Sequence, residues 1–154
     1  MISSHTIESI KKRIEGILDK TIVFEDESQE PIAQDLLRAL ASHRDAMQKG
    51  KKGNCGEIAF YLALLEDATL VHAIIHQDSR PIFHAWVEFD EVCVDLANLK
   101  GKRYFMKSEI PSCVEVHSRY SGFDLAKLAI RRETDSRWNP EISDFLENRR
   151  VEIQ

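Results

Sequence analysis

The chain has 154 residues, of which 43% are apolar, and a formal net charge of −5 at neutral pH. This size and apolar content suit one domain, residues 1–154, around one hydrophobic core. The acidic balance argues against a nucleic-acid partner, because general nucleic-acid binding needs a basic surface. The sequence shows neither a secretory signal nor an apolar stretch near the roughly 20 residues of a membrane span, so no membrane partner is expected.

The helical spacing of apolar residues predicts a first amphipathic helix over about residues 6–19. Pro31 is expected to open a second helix that ends near Met47. A loop with three lysines and two glycines follows, at residues 49–53. It lacks the Walker pattern of a phosphate-binding loop, so a flexible connection is the favoured interpretation.

Cys55 is predicted to be the first residue of a third helix, which ends near Glu66. Asn54 is placed as its N-cap, and Glu57 would complete a capping box. Unpaired amides and the positive end of the helix dipole favour a thiolate at such a position. Gly53 and Gly56, which flank Cys55, are expected to leave its thiol approachable.

Alternating residues predict strands at 70–76, 82–89 and 92–96, with turns at 77–81 and at 90–91 between them. A symmetric second turn pairs Trp86 with Asp95. His84 and Asp95 are then diagonal neighbours on one face, within reach of a hydrogen bond. Trp86 is expected to pack beside them and to shield Asp95 from water, with a binding platform for substrate as its alternative role.

Further strands are predicted at 104–106 and 113–117, and helices at 124–132 and after Pro140. No repeat or Gly/Pro-rich linker divides the chain, which indicates one α+β domain. The three cysteines are odd in number and form no C-x-x-C pair, which favours a reducing cytoplasmic location. Cys93 and Cys113 lie on predicted strands among apolar neighbours, and we expect both to be inert core thiols.

Cys55, His84 and Asp95 together match the needs of a cysteine nucleophile. A thiol requires an adjacent imidazole to become a thiolate at neutral pH, and the imidazole requires a partner that holds its tautomer. The backbone amide of Cys55 is one candidate oxyanion donor, and the Asn54 side chain is a second candidate whose competing role is the N-cap.

This pattern resembles the transglutaminase-like branch of the papain-like cysteine enzymes. The resemblance covers about residues 50–98 and is carried by Gly-x-Cys-x-Glu at 53–57, His-Ala-Trp-Val-Glu at 84–88 and Val-Asp at 94–95. Lasso-peptide leader peptidases and bacterial glutamine deamidases are similar in layout. The resemblance implies N-terminal helices with the nucleophile helix packed on a small antiparallel sheet. It also implies that Cys55 is the nucleophile, His84 the base and acid, and Asp95 the orienting group.

The function expected from this resemblance is acyl transfer through a Cys55 thioester, by glutamine deamidation or peptide-bond hydrolysis of a protein or peptide. A protein transglutaminase and a catalytically inactive binding module are the alternatives. No cofactor is expected. His72 and His76 could join Cys55 or Asp95 around zinc, but their spacing matches no zinc motif, so no metal is predicted.

A macromolecular amide is preferred over a small anionic donor, because small anions generally need a cationic clamp. Around the three catalytic candidates, the sequence offers only Arg80 and the loop lysines Lys49, Lys51 and Lys52 as cations. The oligomeric state is left open.

Overall fold

The computed structural model describes residues 6–77 and 80–153, with side chains described as far as residue 148. The helices within these residues are α1 (Ile7–Leu18), α2 (Gln29–Gln48), α3 (Cys55–Glu66), α4 (Phe123–Arg132) and α5 (Pro140–Ile153), with a short 3-10 helix at Lys107–Glu109. The strands are β1 (Thr69–Ile75), β2 (Ile82–Phe89), β3 (Val92–Val94), β4 (Tyr104–Met106) and β5 (Val114–Tyr120). None of these helices combines the length and the apolar character that a bilayer crossing requires.

The five strands form one antiparallel sheet in the order β4-β3-β2-β1-β5. The α+β prediction is therefore confirmed, and most predicted elements begin and end within a few residues of the observed ones. The predicted turn at 77–81 includes residues 78 and 79, which lie outside the described residues.

Helix α3 is the central element of the larger hydrophobic core. It is apolar around most of its circumference, with six buried apolar residues: Ile58, Ala59, Phe60, Leu62, Ala63 and Leu65. A helix that is apolar all round belongs in an interior. It packs between α2 and the strands β1 and β2. Full burial of each large aliphatic side chain contributes about 1.5–3 kcal/mol to the stability of the fold. Helix α3 is therefore held firmly in place, and so is its first residue, Cys55.

The alternation predicted for β2 is confirmed. Ala85, Val87 and Phe89 belong to the larger core, whereas Trp86 joins Val71 and other residues in a smaller cluster on the opposite face of the sheet. The two faces are therefore packed by different sets of side chains.

The hairpin between β2 and β3 fixes the register that the site depends on. Its turn is Asp90-Glu91, with Asp90 at φ 53°, and Phe89 pairs with Val92 on either side of it. A two-residue turn with positive φ matches the right-handed twist of the strands. Strand β3 is shorter than predicted because the chain turns after Asp95, whose carbonyl accepts a hydrogen bond from the amide of Asn98.

Candidate active site

Cys55 is half-buried and is the first residue of α3, as predicted. Asn54 occupies the N-cap position, but the predicted capping box is wrong, since the Asn54 side chain makes no hydrogen bond to the helix. Its Oδ1 is buried and has no hydrogen-bond partner among the described residues. No side-chain cap therefore occupies the first-turn amides of α3, which keeps the amide of Cys55 eligible as an oxyanion donor.

His43 holds the backbone of Asn54 in place of a side-chain cap. The amide of Asn54 donates to Nδ1 of His43 at 3.1 Å, and Nε2 of His43 lies 2.8 Å from the carbonyl oxygen of Ala97. Because Nδ1 accepts a hydrogen bond, it is unprotonated, so Nε2 carries the ring proton and donates a hydrogen bond to the carbonyl of Ala97. The imidazole is buried in α2 and ties the segment before Cys55 to the loop after Asp95.

The space beside each of the two glycines that flank Cys55 is filled by a ring, although Cys55 itself lines an open cleft. A Cβ on Gly53 would overlap the ring of His43, and a Cβ on Gly56 would lie 2.5 Å from Cδ1 of Trp138. Both glycines are instead needed because a ring packs against each of them. Sequence analysis missed His43 and Trp138. The available signal for His43 was its position on the inner stripe of α2, seven residues after buried Leu36.

His84 and Asp95 meet as the hairpin register predicts. Val87 pairs with Val94, so the next pair in the ladder direction is Trp86 with Asp95, and His84 is its diagonal neighbour. Nε2 of His84 lies 2.6 Å from Oδ2 of Asp95, and the two side chains are 21% and 8% exposed. The short distance and the burial describe a strong charge-assisted bond.

His84 interacts with Cys55 as well as with Asp95, and both partners raise its pKa. Burial lowers the pKa of His84, but its hydrogen bonds to Asp95 and Cys55, together with the negative charges of both groups, raise the pKa to about 10. Since the bond to Asp95 uses Nε2, Nδ1 is the nitrogen left for the thiol. An imidazole held in this position beside a thiol is the arrangement by which a cysteine nucleophile is activated.

Trp86 packs beside the His84–Asp95 pair, in agreement with the sequence-based expectation. It is 3% exposed, and its ring centroid lies 6.2 Å from that of His84 and 6.4 Å from that of Phe105. Exclusion of water by these rings strengthens the bond between His84 and Asp95.

Cys55, His84, Asp95, Asn54 and Trp86 all line one cleft of about 1680 Å³. Pockets for small molecules usually measure about 300–1000 Å³, so the cleft has room for an extended polypeptide. Its other walls combine apolar and cationic side chains, among them Phe83, Phe105, Trp138, Lys51, Lys52, Lys100, Lys102, Arg80, Arg132 and Arg137.

The cationic lining corrects the expectation that only Arg80 and three loop lysines lie near the site. Lys100 and Lys102 reach the cleft from the loop before β4, which is distant in sequence from Cys55. Lys49 does not line it and instead pairs with Asp45 at 3.1 Å.

Similarity to known proteins adds no constraint on this site. No family model, curated protein or solved structure matches the chain. What the cleft does has to be inferred from its own geometry and charge.

The two other cysteines differ from each other. Cys93 is buried as predicted, and burial raises the pKa of its thiol to about 12. Cys113 is exposed, so its placement as a core thiol is wrong. It precedes β5 at the sheet edge, where its carbonyl accepts a hydrogen bond from the amide of His76 at 2.8 Å. An apolar neighbourhood in sequence did not distinguish an edge position from a central one.

The strand histidines do not join the catalytic candidates. His72 is completely buried and bonds to the side chain of Asn139 at 3.3 Å, whereas His76 is exposed and pairs with Glu115 at 2.8 Å. Within residues 6–77 and 80–148, no three His, Cys, Asp or Glu side chains form a group that could hold a metal ion.

Proposed function

We propose that the chain is a cysteine-dependent acyl-transfer enzyme with a transglutaminase-like, papain-like fold, acting on amides of proteins or peptides in the reducing cytoplasm. The observation that supports this most strongly is the position of His84, which bonds to buried Asp95 through one ring nitrogen and contacts Cys55 with the rest of the ring. A nucleophile, a base and an orienting acid then act as one unit.

In the first half of the reaction, the Cys55 thiolate attacks the carbonyl carbon of the amide. The negative charge that develops on the carbonyl oxygen is stabilised by the backbone amide of Cys55, with the Asn54 side chain as the candidate second donor. The C–N bond then breaks, and the imidazolium of His84 gives its proton to the departing amine or ammonia. The product is a thioester on Cys55.

In the second half, His84 accepts a proton from water as the water attacks the thioester. The C–S bond breaks, and the substrate leaves as a carboxylic acid that ionises at neutral pH. Asp95 holds the imidazole in one orientation through both steps and stabilises its cationic form, without taking the proton itself. Glutamine deamidation and peptide-bond hydrolysis follow the same sequence and differ in the leaving group.

The amide is assigned to a macromolecule because the cleft is large and runs along several elements. The rings of His43 and Trp138 pack on Gly53 and Gly56, which lie on either side of Cys55 in the chain. Aromatic side chains from β2, β4 and the segment before α5 supply apolar walls. These features suit a chain laid across the thiol better than a small enclosed metabolite.

A mass-spectrometric assay with unfolded casein tests this proposal, with an added primary amine to trap the thioester. Hydrolysis gives glutamate in place of glutamine or a discrete cleavage, and transglutamination gives an amine adduct. Cys55→Ala is the matched control and should give none of these. Absence of all three products with the wild-type protein, in an assay where a known deamidase works, would contradict the proposal.

A further inference from the structure

Four exposed lysines line the active-site cleft and are called the lysine wall here: Lys51, Lys52, Lys100 and Lys102. Lys51 and Lys52 directly precede the segment that leads into Cys55. Lys100 and Lys102 belong to the loop between β3 and β4 that follows Asp95. Two loops far apart in sequence thus bring cations to one cleft.

The two loops of the lysine wall are held together by one buried side chain. Nδ1 of His43 accepts a hydrogen bond from the amide of Asn54, and Nε2 donates a hydrogen bond to the carbonyl of Ala97. Lys52 is two residues before Asn54, and Lys100 is three residues after Ala97. Both lysine pairs therefore belong to segments that the same imidazole anchors.

Three of these four lysines have no acidic partner among the described residues. Lys102 pairs with Glu109 at 2.8 Å, whereas Lys51, Lys52 and Lys100 make no ion pair there. The whole chain has a net charge of −5, so the charge of this basic surface is opposite in sign to that of the protein as a whole. A local excess of one sign along a cleft raises the concentration of an oppositely charged ligand there.

Most other charged groups of the cleft are paired, whereas Glu57 and Arg80 line it and make no ion pair among the described residues. Asp95 is bonded to His84. Arg137 pairs with Asp135 and Asp144, both at 3.0 Å, and Arg132 stacks over the ring of Trp138 at 4.0 Å. The unpaired cations of the cleft, Lys51, Lys52, Lys100 and Arg80, outnumber Glu57, and three of these four belong to the lysine wall.

We propose that the lysine wall selects polypeptide substrates that carry aspartate or glutamate within a few residues of the amide attacked by Cys55. This inference rests on the proposed function and specifies the substrate class for the same site. The lysines are exposed and their charges are screened, so they act on encounter and binding more than on the chemical step. The preference should weaken as salt is added.

The test uses three peptides that carry a diazoketone analogue of glutamine, flanked by glutamates, serines or lysines. Each peptide alkylates a cysteine that recognises glutamine, and the rate of adduct formation at Cys55 is measured by mass spectrometry. We expect the acidic peptide to react about tenfold faster than the basic one at low salt. This ratio should collapse toward one at about 0.5 M salt.

A charge-reversal variant tests whether the lysine wall causes the preference for the acidic peptide. In Lys51→Glu/Lys52→Glu/Lys100→Glu the ratio of acidic to serine-flanked rates should fall below one. The matched control Lys12→Glu/Lys20→Glu/Lys127→Glu makes the same change in net charge outside the cleft, and it should keep most of the wild-type ratio. Equal loss in both variants would mean that net charge alone acts, and it would overturn the inference.

The outcomes separate this inference from the proposed function. Equal rates for all three peptides, with Cys55 labelled by each, would overturn the lysine wall and leave the acyl-transfer proposal in place. Absence of labelling by every peptide, while iodoacetamide still alkylates Cys55, would overturn the lysine-wall inference together with glutamine deamidation, and the casein assay would then decide on peptide-bond hydrolysis.

Discussion

Two histidines on neighbouring strands have pKa values that are shifted in opposite directions. His84 lies in the candidate active site, and His72 lies on the opposite face of the sheet. They lie close together in the β1–β2 ladder, where His72 pairs with Ala85 and His84 with Ala73. The pKa of His84 is raised to about 10 and that of His72 is lowered to about 3. Burial acts in the same direction on both rings, so burial does not explain the difference.

The partners of each ring explain it. His84 is hydrogen-bonded to Asp95 and to Cys55, and its interactions with these two groups raise its pKa by more than burial lowers it. Burial is the main cause of the low pKa of His72, and the charges of Arg131 and His117 lower it further. The rest of its surroundings are neutral, with the Asn139 amide at one nitrogen and aromatic rings about 5 Å away, centroid to centroid. One sheet therefore holds a catalytic candidate and a structural histidine.

The largest expected effect comes from removing His84 or its thiol partner. His84→Ala should abolish turnover about as completely as Cys55→Ala, because a unit that passes one proton fails when either end is missing. His72→Gln should keep turnover within an order of magnitude of the wild type. Amide-hydrolysis rates of the three variants check this, with circular dichroism as the folding control. Comparable losses in His84→Ala and His72→Gln would contradict the difference in role.

Asp95→Asn should slow turnover by about 10²–10⁴-fold while the fold is retained, by analogy with serine triads. Removal of the negative charge should also lower the pKa of His84 from about 10. The ring-proton chemical shifts of His84 across pH measure this directly by NMR. Unfolding of Asp95→Asn would indicate instead that the carboxylate is structural.

His43→Phe should lower kcat by about 10- to 100-fold with little change in KM, because the backbone on both sides of the site loses its common anchor. Phenylalanine preserves the ring that packs on Gly53. The variant should also lose about 2–4 kcal/mol of stability from two unpaired buried backbone groups. His76→Phe, at an exposed histidine, is the matched control. An unchanged kcat at temperatures where His43→Phe is folded would show that His43 does not position the catalytic residues.

The smallest effect on turnover is expected at His72, which acts instead on the pH dependence of stability. The pKa of His72 is lowered to about 3 in the folded protein, against 6.5 for an unperturbed histidine. Above that ordinary value neither state is protonated at this residue. As pH falls below it, the unfolded state binds a proton that the folded state does not, and stability is lost progressively down to about pH 3.

Chemical denaturation at several pH values measures this contribution. Over that acid range the wild type should lose about 1.4 kcal/mol more per pH unit than His72→Gln. Parallel pH profiles for the two proteins would show that His72 is not held neutral in the fold.

Local patterns were sufficient to predict the strands, the β2–β3 register and the diagonal approach of His84 to Asp95, because period-two alternation and a two-residue turn determine all three. They were insufficient wherever a contact joins distant segments. The imidazole of His43 reaches Asn54 and Ala97 from α2, and the Trp138 ring covers Gly56 from the segment before α5. Tertiary packing sets these contacts, as it sets the exposure of Cys113 at the sheet edge.

The central claim is that His84 activates Cys55, and the relative alkylation rate of the cysteines tests it most directly. The protein is treated with iodoacetamide at about pH 6, where an ordinary thiol is largely protonated and reacts slowly, and the modified peptides are mapped by mass spectrometry. Exposed Cys113 is the internal control for access, and buried Cys93 for burial. The account predicts that Cys55 is modified at least tenfold faster than Cys113. It also predicts that this advantage is lost in His84→Ala. Equal rates at Cys55 and Cys113, or an advantage that persists without His84, would contradict it.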